Sequence, residues 1–319
     1  MNKIAVTIAH LLAFLPLSVL YVLSDYVLYP VVRHVIRYRR QVVEKNLGLA
    51  FPDKSDEERL RIEQGFYHHL CDVLVETIRL QRMSRDELCR RFQWDDIDTL
   101  HSPLHDTPST LHDTPSTLHE SPSTLHESPS TLHESPSTLH ESPFTLCYLA
   151  HYGNWEWLTA RLFPTPQAGS LFIYHPLHNT TFDHWLAAIR SRFGTELVDM
   201  NHVSEQLTAL QATDSRHYRV LAISDQLPKE QYVRHFHRFM GIKTKVLTGT
   251  EQLIRHYDMQ VCYCRVTSPR RGYYVCQNIP LKPAGDSEWP YTDAYTDLLQ
   301  QQLYERPELW LWSHDRWRR

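Results

Sequence analysis

Glycine is scarce in this chain, nine among 319 residues, and none falls in a G-x-G-x-x-G or G-x-x-x-x-G-K-[ST] pattern. The glycine-loop nucleotide sites, in which bare backbone approaches phosphate, are excluded at motif level. A C-x-x-C pair is missing too: Cys71, Cys89, Cys147, Cys262, Cys264 and Cys276 are scattered. Thiols without disulfide or zinc spacing read as reduced cysteines, some of them buried as small hydrophobes. No zinc-ligand set at fixed spacing is found, so the sequence assigns neither a metal nor a cofactor. A basic surplus is also lacking. The net charge is −4, and six of the 37 acids lie in one repeated stretch, leaving 31 to face 33 Lys and Arg elsewhere. That balance gives no electrostatic case for a dedicated nucleic-acid binder.

What the chain does have is apolar mass. Hydrophobic residues make up 42% and charged residues 22%, a globular composition long enough for a substantial core. From 4 to 23 the chain reads IAVTIAHLLAFLPLSVLYVL, twenty residues without a formal charge. As one helix that run spans about 30 Å, one hydrocarbon core. Only Lys3 precedes it, whereas Arg33, Arg37, Arg39, Arg40 and Lys45 follow. The positive-inside rule turns that asymmetry into an expectation of a single-pass anchor with everything after it in the cytoplasm. A cleaved signal peptide is the rival, but it wants its charge before the apolar core and small residues at the cut.

Residues 39–100 read as helical. Ser55-Asp56-Glu57-Glu58 fits a capping box after Pro52, and Leu60, Ile62, Phe66, Leu70, Val73, Leu74, Thr77 and Ile78 recur at helical spacing. From His105 a seven-residue unit then repeats six times, as HDTPSTL, HESPSTL and finally HESPFTL. A heptad suggests a coiled coil, but a proline in every unit forbids that helix. One leucine in seven cannot build a core, so the reading is a solvated linker. Its regularly spaced histidines read as expansion of a coding unit rather than as a metal site.

Beyond the repeat, strands are expected at 144–150, 170–174, 196–200, 219–224, 260–266 and 273–279. Helices are expected at 155–162, 180–193, 203–213, 248–257 and 292–305. This alternation predicts a layered α/β sheet, with chemistry at strand carboxyl ends. HYGNWE sits at such an end, directly after FTLCYLA. There His151 can act as a base and Glu156, five residues on, as the carboxylate that orients it. The spacing alone is weak. The run 232–245 carries Arg234, Arg238, Lys243 and Lys245 among aromatics, and the tail adds Trp310, Trp312, Arg316 and Trp317. Such mixtures suit a membrane interface with anionic head groups, though the tryptophans suit a core equally.

HYGNWEW, with IYHPLHNTTFDHWLAAIRSRFG, SDQLP, YRRQVVEKNLGLAFPDKS and the terminal WLWSHDRW, resembles the bacterial lipid A biosynthesis late acyltransferases, which carry an H-x4-[DE] motif. The resemblance implies an enzyme of the inner (cytoplasmic) membrane that moves a fatty acyl chain from acyl carrier protein, or acyl-CoA, to a hydroxyl of a lipid A precursor. It implies a mixed sheet flanked by helices, as in glycerolipid acyltransferases. Carried over by motif, His151 is the general base and Glu156 its partner. Arg190 holds the thioester oxygen or a substrate phosphate, and Asp225 fills the D-Q position. The expected organisation is an anchor at 1–30, a helical part at 31–100, the repeat linker at 101–146 and the catalytic α/β part at 147–319. The repeat departs from the family pattern, where a short helix and a loop lead into the strand before the histidine. A membrane-tethered binding protein without catalysis is therefore the alternative, and an acyltransferase of another glycolipid a further one.

Overall fold

The run FTLCYL, apolar on both sides, becomes the middle of the sheet. In the computed structural model, which describes residues 2–95, 142–161 and 168–318, every residue of this strand is buried. That is the pattern of an interior parallel strand covered on both faces. The strands are β1 (Phe92–Asp95), β2 (Phe144–Leu149), β3 (Ala168–Tyr174), β4 (Glu196–Asp199), β5 (His217–Ile223), β6 (His235–Phe239), β7 (Ile242–Val246), β8 (Gln260–Arg270) and β9 (Tyr273–Pro280). Seven of them form one sheet in the order β1-β9-β8-β2-β5-β3-β4, and β6 and β7 form a separate hairpin. All neighbours in the large sheet run parallel except β8 and β9.

The helices are α1 (Asn2–Leu12), α2 (Leu17–Leu23), α3 (Arg40–Ala50), α4 (Asp56–Leu80), α5 (Arg85–Arg91), α6 (Trp155–Arg161), α7 (Thr180–Arg190), α8 (Val203–Thr213), α9 (Gly249–Tyr257) and α10 (Pro290–Glu305). They cover both faces of the sheet. On one, Tyr295 of α10 stacks on Tyr148 and meets Tyr263 edge-on; on the other, Trp157 of α6 meets Tyr274 of β9. The segments before and after the repeat fold into one compact unit. The repeat itself lies outside the described residues up to 141; its last copy ends inside β2, since Phe144, Thr145 and Leu146 are strand residues.

The strands and helices expected after the repeat are all present, within a few residues at their ends. Two elements were not expected. β1 falls inside the stretch read as wholly helical, and it exists through pairing with β9, about 180 residues away in sequence. The basic aromatic run holds the β6–β7 hairpin. The Ser55 capping box is present: its hydroxyl accepts from the Glu58 backbone N–H and its own N–H donates to the Glu58 carboxylate. The α4 stripe differs in part. Phe66 and Val73 are buried, but Leu60 and Leu74 are exposed, because the inward face carries the charged residues Glu63, Asp72 and Glu76 instead.

The single twenty-residue span is corrected. Pro16 lacks an N–H and sits extended, so the apolar run breaks there into α1 and α2. Among the described residues no single helix is long and apolar enough to cross a membrane. Helix continues from Leu17 through π-type turns to Val35 and then meets α3 at 84°. The polar groups of this stretch turn towards the protein. Tyr21 donates to Glu76 at 2.6 Å, Ser24 to Asp72 at 2.7 Å, and Asp25 and Arg33 pair with Arg271 and Glu63. Leu17 and Leu20 are buried, but other apolar groups turn outward: Val22, Tyr26 and Val35 are 57%, 77% and 75% exposed.

All six cysteines are free and all but Cys89 are buried. Cys147 and Cys262 are register partners on β2 and β8, which brings their sulfurs to 3.4 Å.

Candidate active site

The register of two neighbouring strands makes the site. Leu149 and Ile223 are partners across β2 and β5, so His151 and Asp225, each two residues beyond its strand, face one another at the carboxyl end of the sheet. His151 Nδ1 lies 2.8 Å from Asp225 Oδ1, and the His151 backbone N–H donates to Oδ2 at 3.0 Å. Trp310 donates its indole N–H to the same Oδ2 at 2.7 Å. Burial alone would raise the Asp225 carboxyl; the His151 charge and these donors outweigh it and hold the carboxyl below its ordinary range. With Nδ1 committed to a carboxylate, Nε2 is the ring nitrogen left for another partner. The Gln226 amide nitrogen stands 3.4 Å from it, and Trp155 meets the ring edge-on at 5.3 Å.

Glu156 stands close enough to feel the His151 charge but is paired differently. It opens α6, buried, and binds Arg190 of α7 through two parallel bonds, Nε to Oε2 at 2.8 Å and Nη2 to Oε1 at 2.7 Å. Trp155 adds its indole N–H to Oε1 at 3.1 Å. Desolvation pushes the Glu156 carboxyl up, and Arg190 more than reverses it, leaving the group ionised below its usual value. The sequence joined His151 to Glu156. The structure joins His151 to Asp225 and Glu156 to Arg190, with Trp155 touching the histidine ring on one side and the Glu156 carboxylate on the other.

The loop between strand and helix is clamped from α4. Glu76 is fully buried and accepts from Tyr21, Asn154 (2.6 Å) and Tyr274 (2.9 Å); burial pushes its carboxyl up to about 7. Asn154 in turn accepts from the Trp157 backbone N–H at 2.8 Å, capping α6. Gly153 has φ +60, and a Cβ there would stand 2.8 Å from Val266 Cγ1. Both the left-handed backbone and the close approach require glycine in HYGNWE. Sequence reading passed over Glu76, because nothing in an amphipathic stripe marks one inward glutamate as a partner of a loop 78 residues later.

The opposite wall is the C-terminal strap. Gly153 N–H donates to Leu309 O and Leu311 N–H to His151 O, both at 3.0 Å, so residues 309–311 run beside the motif like an extra strand. Trp310 and Trp312 are 1% and 0% exposed, which settles them as core. His314 accepts from the Leu227 backbone N–H at 3.0 Å, and burial pushes its pKa down to about 4, so it stays neutral there. From α3, Asn46 donates to Trp312 O and His314 O at 2.9 and 2.7 Å, and Arg39, just before that helix, donates to Ser313 O at 2.9 Å. The YRRQVVEKNL and WLWSHDRW elements are thus two halves of one anchor for the residue that holds Asp225.

A base with a buried carboxylate on its far nitrogen, beside a fixed carboxylate–guanidinium pair, can take a proton from a hydroxyl and stabilise the charge that follows. No curated protein matches the chain. The family model for the bacterial lipid A biosynthesis acyltransferases matches residues 3–108 and 136–319, leaving out only 109–135 within the repeat between its two parts. With nearly the whole chain covered, this protein is an acyltransferase and belongs to the bacterial lipid A biosynthesis acyltransferase family.

Proposed function

We propose that the enzyme transfers a fatty acyl chain from an acyl carrier protein thioester to a hydroxyl of a lipid A precursor, with His151 as general base and Asp225 as its orienting carboxylate. The observation that carries this is the His151–Asp225 contact at 2.8 Å with Nε2 left towards the site. Nε2 removes the hydroxyl proton as the oxygen attacks the thioester carbonyl. The imidazolium, paired with Asp225, then returns that proton to the departing thiolate, so an ester and a thiol result. Arg190 spends Nε and Nη2 on Glu156; its remaining nitrogen Nη1 is the donor for the oxyanion of the thioester or for a substrate phosphate. The test is the reaction itself. Purified enzyme given acyl carrier protein thioester and lipid A precursor yields a product heavier by one acyl chain. No product from either acyl carrier protein or CoA thioesters overturns the reading.

Membrane contact follows from the exposed apolar face of the N-terminal segment rather than from a span. Ile4, Ile8, Leu11 and Phe14 are 50–67% exposed and continue into the outward residues of the stretch up to Val35. An exposed row of large apolar groups, on helices whose other face packs on the protein through Ala13, Leu17 and Leu20, is the arrangement of helices lying in a lipid interface. In this reading the site faces the cytoplasm, where the thioester donor is. Replacing Ile8, Leu11, Phe14 and Val22 by serine moves the enzyme from the membrane to the soluble fraction with its melting temperature retained. Unchanged membrane retention would defeat interfacial docking by this face.

A further inference from the structure

Away from the active site, two histidines and two aspartates meet across an interface that sequence spacing does not show. His235 and His237 are alternate residues of β6 and share a face. Asp293 and Asp297 are one turn apart on α10 and share another. The folded chain sets the two faces together. His235 Nε2 and His237 Nδ1 lie 2.7 and 3.0 Å from the same oxygen, Asp293 Oδ1, and His237 Nε2 lies 2.8 Å from Asp297 Oδ1. The donor atoms of His235, His237 and Asp293 all fall within 4.8 Å of one another.

We propose that His235, His237 and Asp293, with Asp297 at the rim, bind a first-row divalent transition-metal ion of the zinc type. Two imidazoles and a carboxylate select zinc, cobalt or nickel over magnesium and calcium, which prefer oxygen. At the usual metal–nitrogen and metal–oxygen distances, tetrahedral donors stand about 3.3 Å apart, so the two nitrogens at 2.7 and 3.0 Å need to draw back from Asp293 Oδ1 by only a few tenths of an ångström. An ordinary ion pair needs one histidine per carboxylate; here two rings converge on a single oxygen. The outer support is also present. Ser287 donates to Asp293 Oδ2 at 2.5 Å, which keeps Oδ1 turned to the histidines, and Trp289 lies tilted against the His235 ring. The histidines are about one-fifth exposed, so an ion can enter from solvent. The role is structural. The ion fastens the β6–β7 hairpin to α10, whose Tyr295 hydroxyl donates to Leu149 O at 2.8 Å, two residues before His151.

The experiment is zinc titration of the chelator-treated full chain by calorimetry, with Co2+ absorption as the second readout. The chain's repeat carries six further histidines, so a variant with all six changed to glutamine is titrated beside it. The expected result is one tight equivalent that persists without the repeat histidines, with the intense visible bands of low-coordinate Co2+. It is lost in His235→Gln/His237→Gln and weakened about tenfold in Ser287→Ala, which removes an outer-shell bond. If the double variant does not fold, the repeat variant decides: its visible Co2+ bands remain without the near-ultraviolet thiolate charge-transfer band that Cys147, Cys262 and Cys264 would give, and bands carrying that thiolate signature overturn the proposal. Equal stoichiometry and equal spectra in the chain and the folded double variant overturn the proposal. So does disappearance of the tight equivalent with the repeat histidines.

Discussion

His151→Ala lowers acyl transfer by about 10²–10⁴-fold or more, with protein level and melting temperature unchanged, because it removes the base and no buried group loses its only partner. Asp225→Asn gives a comparable loss. Asparagine presents an amide where the Nδ1 proton needs an acceptor, so the ring turns or adopts the other tautomer. Combining the two adds little, since residues that act as a unit are not additive. The geometry also separates Asp225 from Glu156. Asp225 is hydrogen-bonded to the imidazole, whereas Glu156 is linked to it through Trp155 and by charge alone. The pair His151/Asp225 is therefore non-additive in kcat. Rates for single and double variants, each with a thermal melt, make the comparison. Full activity in a well-folded His151→Ala or Asp225→Asn removes the dyad.

Much of this site was legible in the sequence, and the missing part has a definite cause. An apolar run followed by HYGNWE reads as a strand ending at a histidine, and RVLAIS followed by aspartate reads the same way. Each is a local pattern. That the two strands are neighbours in register, so that positions two past their ends meet, is set by pairing over some 75 residues. The partner of His151 was therefore read from spacing along the chain, which favours Glu156, while the fold supplies Asp225. The single span differs for a similar reason. Twenty uncharged residues fix the hydropathy, but Pro16 and the inward bonds of Tyr21 and Ser24 decide that the run breaks and lies along α4. The His235–Asp293 cluster shows the same limit, its donors standing 58 residues apart.

Arg190→Met lowers stability by about 3–5 kcal/mol, because it leaves a buried carboxylate without its counter-ion. The side chains of Arg190 and Glu156 are only 16% and 8% exposed, and with Arg190 gone the Trp155 indole N–H is the one side-chain donor left to Glu156 among the described residues. For a chain of this size the melting temperature falls by roughly 5–10 °C. Arg190→Lys recovers part of the loss, since an ammonium cannot reproduce the two parallel bonds. Arg190→Met/Glu156→Gln recovers more, because the uncompensated charge is gone. The sign with pH is fixed by the same pair. In the native enzyme Arg190 holds Glu156 below the ordinary 4.5, so this contribution is present above that pH and fades as acid protonates the carboxyl. The deficit of Arg190→Met is accordingly largest at high pH and begins to shrink above pH 4.5, because burial without Arg190 pushes the Glu156 carboxyl up and it takes up its proton there. Thermal melts of the four proteins across that range provide the measurement. An unchanged melting temperature in Arg190→Met, with only KM for the acyl donor or acceptor altered, would mean that the guanidinium serves substrate alone and that Glu156 is stable without it.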